Sequence, residues 1–579
     1  MKIQSLSLAL ISGSNYECST RPSSLYIFHL RGNQRTSGER SRKEGGKVFG
    51  SGSRAPIAIS VLVKNPESKQ MGQIKFHDIG DYLSTEQKLE IVQNFKDING
   101  ISKLNAWEAI IPNEFNDWVN QRDPNFNSYI SLGNKKSKDL SLFETYSMGI
   151  KTNRDAWVYN SSNKKLQKQV QNQIDFYNHQ VNILSKLPED DRKDALDLSL
   201  NKFKWTSDLL TKVVRGSELE FQHSSIVKTE RRPFSKEYLY CNKDLNWTLH
   251  LIKQIYPTSS AKNEMIYLVG TGTTKPFSTL MIDKTPDFQL LSNGQGFPLY
   301  LYEEIENNAE KNNPQLSLTS STETSDENVI KDDNGKPIYR RKDAITDEGL
   351  AHFTDYYGSQ MKADISITKE DLFYYIYGLL HSEDYRERYA ENLTKQLPNI
   401  PRVQKYDEFV AFSTAGRQLA DLHINYENVD MYQGVKLASK LTNLKLADGQ
   451  NWAKSKIEDD KFYVTKMKHP KRKNEETGKN EDDPTKIVYN SHITIEHIPE
   501  DAYDYVVNGK PAIEWIIERQ GVKTDKKSGI TNDANDWAIE TMKNPRYPLE
   551  LLLRVINVSL KTQAIVRKLP KLVLEKVGG

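Results

Sequence analysis

The chain has 579 residues, 37% hydrophobic and 27% charged, with a mean hydropathy of -0.69; this excludes disordered and membrane-embedded chains and is long enough for roughly two to four domains. Lys and Arg number 80 against 77 Asp and Glu, a net charge of +3, so any basic footprint for nucleic acid has to be local. The two cysteines, Cys18 and Cys241, are too few and too distant for a disulfide framework or a zinc site, which points to a reducing compartment, the cytoplasm.

Residues 1–23 open with "MKIQSLSLALISGS", a lysine and an apolar run that serines interrupt. It imitates a secretory signal only weakly and is expected to be a disordered or mis-started leader. "SSLYIFHL" (23–30) reads as a strand ending at Arg31-Gly32, and "PIAISVLVK" (56–64) as an internal strand covered on both faces. Between them lies a glycine-rich stretch carrying Arg31, Arg35, Arg40, Arg42, Lys43 and Lys47. Gly45-Gly46-Lys47 is followed by Val48 and a strand, whereas a phosphate-cradling loop needs Ser or Thr and a helix there. Glu39 and Glu44 interrupt the basic run, which also makes a poor nuclear-localisation signal. Two readings stay open: a flexible basic loop lying along a phosphate backbone, or a solvated surface loop.

Ser84 and Gln87 form a capping box that opens the helix "TEQKLEIVQNF". "QRDPNF" (121–126) approaches the Asn/Asp-Pro-Pro-Tyr/Phe motif that grips an extruded base, but the second proline is missing and a chance turn is expected. From Lys164 to about Leu187 the pattern is a polar helix, a packed spacer with Val170, Ile174, Phe176, Tyr177 and Val181 on one stripe. "YLVGTGTTKPFS" (267–278) lacks the third glycine of a nucleotide-binding turn and reads as a strand-turn-strand hairpin. Two polar stretches, 312–337 and 468–486, are expected to be flexible loops. Between them Thr368 caps "KEDLFYYIYGLL", with Leu372, Phe373, Ile376, Leu379 and Leu380 on a core-facing stripe. After the second stretch come the strands "KIVYN" and "HITIEHI" and the helices "AIEWIIER" and "LELLLRVINVSLKTQAIVRKL". His250, His352, His381 and His423 have no partner at metal-ligand spacing. No Gly-x-Ser-x-Gly elbow or Cys/His nucleophile pair is present, and no internal repeat.

The order of segments resembles a known family. "LYIFHLRGNQRTSGERSRKEGGKVFGSGSRAPIAISVLVKNP" is similar to the late part of the adenine-methyltransferase domain of single-chain type ISP restriction-modification enzymes. "KTNRDAWVYN" (151–160), "ERRPFSKEYLY" (230–240), "GTGTTKPFSTLMIDKTPDFQ" (270–289), "ITKEDLFYYIYGLLHSEDYRERYAENLTKQLPNIP" (367–401) and "VVNGKPAIEWIIERQGVKTDKKSGITNDANDW" (506–537) resemble that family's C-terminal specificity region.

The resemblance implies an α/β and α+β multidomain fold: after the leader, an incomplete methyltransferase-like sheet tail over 24–160, a helical spacer over 161–229, and a mixed α+β target-recognition domain over 230–579. It implies recognition of double-stranded DNA in phage defence, without catalysis by this chain alone. The glycine-rich cofactor motif, the Asn-Pro-Pro-Tyr motif and the nuclease and helicase motifs of the family are absent from the sequence. S-adenosylmethionine, ATP and Mg are therefore implied only for the full-length family, and no cofactor, metal or catalytic residue for this chain. Lys151 and Arg154, with Arg231 and Arg232, sit beside aromatics at loop boundaries; they join the basic residues of the first loop as candidate DNA contacts, with salt bridges at a domain junction as the other reading. The alternative function is the specificity-bearing part of a split adenine methyltransferase, completed by an upstream polypeptide. A truncated, decayed fragment is a third expectation.

Overall fold

The computed structural model describes residues 23–34, 38–49, 54–69, 72–135, 139–258, 261–305, 328–332, 335–439, 445–446, 458–475, 478 and 480–575. The chain divides into a first compact unit of Met1–Ser128, Thr274–Pro276 and Arg388–Gln396 and a second of Tyr129–Thr273, Phe277–Glu387 and Leu397–Gly579. The leader and most of 312–337 lie outside the described residues.

In the first unit β1 (Ser24–Arg31), a short helix α1 (Gly38–Glu44), β2 (Ile57–Val63), β3 (Gln73–Asp78), α2 (Thr85–Phe95) and β4 (Glu108–Ile110) follow in order. The sheet runs β2-β1-β3-β4, with β1 antiparallel to β2 and parallel to β3. The strand covered on both faces is β1, not β2. Phe28 and Leu30 pack with Val48, Ile79 and Ile101 on one side, and Leu25 and Ile27 with Ile74 on the other. Among the described residues only β1 pairs with β2, which makes it an edge strand, with Ile59 42% and Leu62 50% exposed; an apolar run marks a strand but not its place in the sheet.

The expected flexible basic loop is partly ordered. It holds α1, and Lys88 of α2 turns inward to donate to the carbonyls of Glu44 and Gly46 at 2.6 and 2.9 Å. Gly46 lies so close to Thr85 that an added Cβ would stand 2.4 Å from its nitrogen. The capping box of α2 forms as expected between Ser84 and Gln87. "QRDPNF" becomes a 3-10 turn over Pro124–Ser128 whose Phe126 is fully buried.

In the second unit β5 (Tyr159–Asn160), α3 (Asn163–Leu184), β6 (Ile226–Arg232), β7 (Ser235–Tyr240) and β8 (Thr285–Pro286) surround one core. The sheet order is β8-β6-β7-β5. Val170, Ile174, Tyr177 and Val181 of α3 pack against Leu239 and Tyr240 of β7 and against Tyr159. The boundaries expected at 160/161 and 229/230 thus fall inside one unit, because the spacer helix buries its apolar stripe against strands on both sides of it in sequence. The expected hairpin after residue 267 forms between Met265–Leu268 and Thr279–Ile282.

Two helices, α4 (Lys369–Leu379) and α5 (Tyr406–Ile424), cross at glycines. An added Cβ on Gly378 would meet Phe412 O at 2.1 Å and one on Gly416 would meet Tyr374 O at 1.9 Å. α4 is buried on every side from Leu372 to Leu379 rather than along a single stripe. Further on, α6 (Ala512–Arg519), the hairpin β9 (Val522–Thr524) and β10 (Thr531–Asp533), and α7 (Tyr547–Val566) complete the unit. Within 468–486, expected to be a flexible loop, Lys471–Lys473 pairs with Asn480–Asp482, and Lys471–Asp482 and Arg472–Glu481 ion pairs lie across the strands at 2.8 and 3.0 Å.

Candidate nucleic-acid interface

The site is built at the end of the β6-β7 hairpin. The register of the pair shifts between Glu230 and Arg232, so Arg231 occupies a bulge, which re-aims a side chain. Its guanidinium lies 4.0 Å from the Tyr159 ring centroid. It donates to Asp287 Oδ2 at 2.6 Å and to Asp155 Oδ2 at 2.8 Å. Arg232 donates to the other Asp287 oxygen at 2.7 Å, and the Tyr159 hydroxyl donates to Asp287 at 2.8 Å. Burial works against the charge on Arg231, but Asp287, Tyr159 and Asp155 outweigh it and raise its pKa. These four charges form an internal brace joining β6, the residue after β8 and the short helix Asp155–Val158 before β5.

Arg154 is 1% exposed. It donates to Gln173 Oε1 at 2.7 Å, lies over the Phe203 ring at 4.5 Å, and leaves Nε and Nη1 without a partner. Burial pushes its pKa down to about 9. Of the four candidates in this unit, Lys151 alone has no side-chain hydrogen bond or ion pair among the described residues, and its ammonium lies 5.4 Å from the Phe288 ring centroid. Salt bridging, the other reading kept open from sequence, describes Arg231 and Arg232.

Lys151 lines a cleft of about 570 Å³ with Lys204 and Lys527. Lys204, Lys526 and Lys527 are exposed, and none of these four lysines makes an ion pair among the described residues. The acids around them are committed elsewhere: Asp287 and Asp155 to the arginines, and Asp525 to the Ser528 amide and hydroxyl at 2.9 and 2.7 Å. The Ser528 contacts hold the Asp525 carboxyl below the usual range. They also shape the tip between β9 and β10, where Gly529 takes a φ of 71°, a conformation that favours glycine, and its amide donates to Asp525 O at 2.8 Å.

The lysines of the tip are the residues that sequence reading missed. Their signal was present: Lys526-Lys527-Ser528-Gly529 between "VKT" and "ITND" is a hairpin turn carrying charge. Lys204 gave no such signal.

In the first unit Arg31 is not presented outward. It donates to Asp78 at 2.6 Å and pairs with Asp81. For Asp78, hydrogen bonds from His29, Gly80 and Arg31 outweigh burial and keep its carboxyl well below the ordinary range. Arg42 and Lys43 are exposed in the last turn of α1, and Lys47 is half-buried. Arg35 and the side chain of Arg40 lie outside the described residues.

Residues 141–551 match the family described as Type ISP C-terminal specificity domain. No curated protein matches the sequence. The fold is similar to three solved structures. A nuclease-deletion mutant of the Type ISP restriction-modification enzyme LlaGI in complex with a DNA substrate mimic is 36% identical, with a TM-score of 0.73 over 96% of this chain and 37% of that one. The ATP-dependent Type ISP enzyme LlaBIII bound to DNA is 33% identical, with a TM-score of 0.73 over 96% of this chain and 31% of that one. The DrdV-DNA complex is 26% identical, with a TM-score of 0.70 over 96% of this chain and 48% of that one. The chain therefore spans about a third of the length of the first two relatives.

Proposed function

The chain belongs to the Type ISP restriction-modification family, and from that premise we propose that it recognises a specific sequence in double-stranded DNA as the specificity portion of such an enzyme. The observation that carries the reading is the set of lysines without ion pairs among the described residues, Lys151, Lys204 and Lys527 lining one cleft and Lys526 exposed beside Lys527, where Asp155 and Asp287 are paired with arginines. Such a set suits phosphate positioning, because each ammonium that meets a phosphate releases condensed counterions. The LlaGI, LlaBIII and DrdV structures contain DNA or a mimic of it, which supports duplex DNA as the partner. Arg42 and Lys43 on α1 are the corresponding phosphate contacts of the first unit on this reading. Arg231 and Arg232 act from inside, as positioning residues for the wall that carries Lys151, whereas Arg154 is a buried side chain with no part in contacting DNA.

On the same reading the chain alone transfers no methyl group. The cofactor and Asn-Pro-Pro-Tyr motifs are absent from its sequence. On this reading S-adenosylmethionine, ATP and Mg belong to the full-length enzymes of the family. Retention of duplex DNA from a random-sequence library, read as a function of salt, tests the proposal; selection of no sequence over the starting library would sink it.

A second reading is favoured by the exposed Ile59 and Leu62 of edge strand β2: recognition supplied to a methyltransferase that a separate, upstream-encoded polypeptide completes. Methyl transfer in a mixture of the two polypeptides, and in neither alone, would support it.

A further inference from the structure

The charged hairpin of Lys471–Lys473 and Asn480–Asp482 leaves and rejoins the second unit at one histidine. His469 stands just before it. Its ring Nδ1 lies 3.2 Å from the carbonyl oxygen of Asp483 and 2.8 Å from that of Lys486, both on the returning side. Its Nε2 lies 2.8 Å from Glu514 Oε1 of α6. The Asp483 amide donates to Pro470 O at 2.9 Å and closes the base of the hairpin. The His469 side chain is 10% exposed and that of Glu514 32%, so the contact is sheltered by protein yet open to proton exchange with water.

The partners fix the protonation. Carbonyl oxygens only accept, so Nδ1 carries a hydrogen. A neutral ring would then turn the Nε2 lone pair toward an ionised Glu514 at 2.8 Å, setting two acceptors against each other. A second proton therefore lies between Nε2 and Oε1, and the two side chains form an imidazolium-carboxylate pair. The neighbouring charges are engaged elsewhere. Lys510, four residues before Glu514, pairs with Glu518, and Lys486 pairs with Glu496 at 3.0 Å. The Asp483 carboxylate accepts from the Thr485 amide and hydroxyl at 3.0 and 2.6 Å and faces Arg472 at 3.7 Å. The Tyr503 ring lies 6.0 Å from the imidazole, and its hydroxyl donates to Pro484 O at 2.8 Å. Burial opposes the charge on His469, but the Glu514 carboxylate and the two carbonyls outweigh it and raise its pKa above the ordinary 6.5.

We propose that His469 and Glu514 form a pH-sensitive latch that docks the base of the charged hairpin on α6. The latch is closed while the proton lies between them. When the proton leaves, Nε2 and the carboxylate repel, the tie to α6 is lost, and the hairpin base is held only by its own carbonyls and strand pairing. The folded pKa lies above the unfolded one, so the contribution is full below the ordinary 6.5 and is lost as pH rises through the raised value. The latch governs the mobility of one hairpin and does not depend on DNA recognition by the chain.

The experiment uses the full chain with isotope-labelled histidine, titrated by NMR from about pH 5 to about pH 9. The resonance missing from the His469→Gln spectrum assigns His469, which should titrate above 6.5 in the natural chain. Glu514→Gln separates the proton from the contact, because a side-chain amide can donate to Nε2 of a neutral ring. In that variant the latch should persist while the His469 midpoint falls by about one pH unit or more. Hydrogen-exchange protection of the amides over 471–483, corrected for the intrinsic pH dependence of exchange, is the second readout. It should fall at least fivefold between about pH 6 and about pH 9 in the natural chain and stay within twofold in Glu514→Gln. A His469 midpoint at or below 6.5 in the natural chain overturns the proposal, and so does an equal loss of protection in the two chains. If Glu514→Gln fails to fold, the midpoint and the loss of protection in the natural chain decide.

Discussion

Arg231 and Asp287, 56 positions apart in the chain, meet at 2.6 Å in the interior of the second unit. The same carboxylate accepts from Arg232 at 2.7 Å, from the Tyr159 hydroxyl at 2.8 Å and from the Gln289 amide at 2.7 Å. Asp287 is therefore the common acceptor of four donors contributed by separate parts of the chain. Asp287→Ala leaves the buried Arg231 and the half-buried Arg232 without it and is expected to destabilise the chain by about 3–5 kcal/mol. The denaturation midpoint reads this directly; a shift corresponding to less than about 1 kcal/mol would refute the brace.

Arg154 behaves in the opposite way. Its charge is already poorly met, with two of its nitrogens unpartnered, so Arg154→Met at similar volume is expected to be neutral or to stabilise by about 1–4 kcal/mol. Duplex retention should stay within twofold of the natural chain. A large loss of DNA binding in a variant that melts normally would restore Arg154 as a contact.

The lysine rim makes a different prediction. Lys204→Ala, Lys526→Ala and Lys527→Ala should leave stability unchanged, these side chains being exposed. Each should weaken retention of all duplex sequences alike and reduce the slope of log K against log salt by about 1. Affinity measured at four salt concentrations on two unrelated sequences checks it, and a loss confined to one sequence would assign base reading instead.

Stability should fall with rising pH through Glu230. Burial, with Glu427 and Asp283 nearby, outweighs Lys236 and pushes this carboxyl up from its ordinary 4.5 to about 8. The folded chain keeps the proton where the unfolded chain releases it. The contribution is full below about 4.5, is lost progressively as pH rises, and is gone above about 8. Glu230→Gln should flatten the melting-temperature profile across that window; an unchanged slope would show that another group carries it.

The crossing of α4 and α5 depends on bare backbone. Gly416→Ala would place a Cβ 1.9 Å from Tyr374 O, so the helices must separate, at an expected cost of about 1–3 kcal/mol. Gly335→Ala, where an added Cβ meets nothing but φ is 79°, is the control for conformational strain alone. Equal losses in the two variants would count against close approach as the cause at Gly416.

Local chemistry was legible in the sequence wherever neighbours in the chain decide the outcome. Ser84 with Gln87, and Thr368 ahead of its helix, act within four residues, and those helices begin where the spacing predicts them. The resemblance in segment order identified the family. Tertiary structure alone decided that β1 and not β2 lies inside its sheet, that Lys88 turns inward to hold a basic loop, and that Arg154 and Arg231 face the interior while Lys204 and Lys527 face out. A guanidinium beside an aromatic reads the same in sequence whether water or protein surrounds it. Its partner, Gln173 for Arg154 and Asp287 for Arg231, is supplied by a remote segment, and that pairing separates a structural arginine from one free to meet a phosphate.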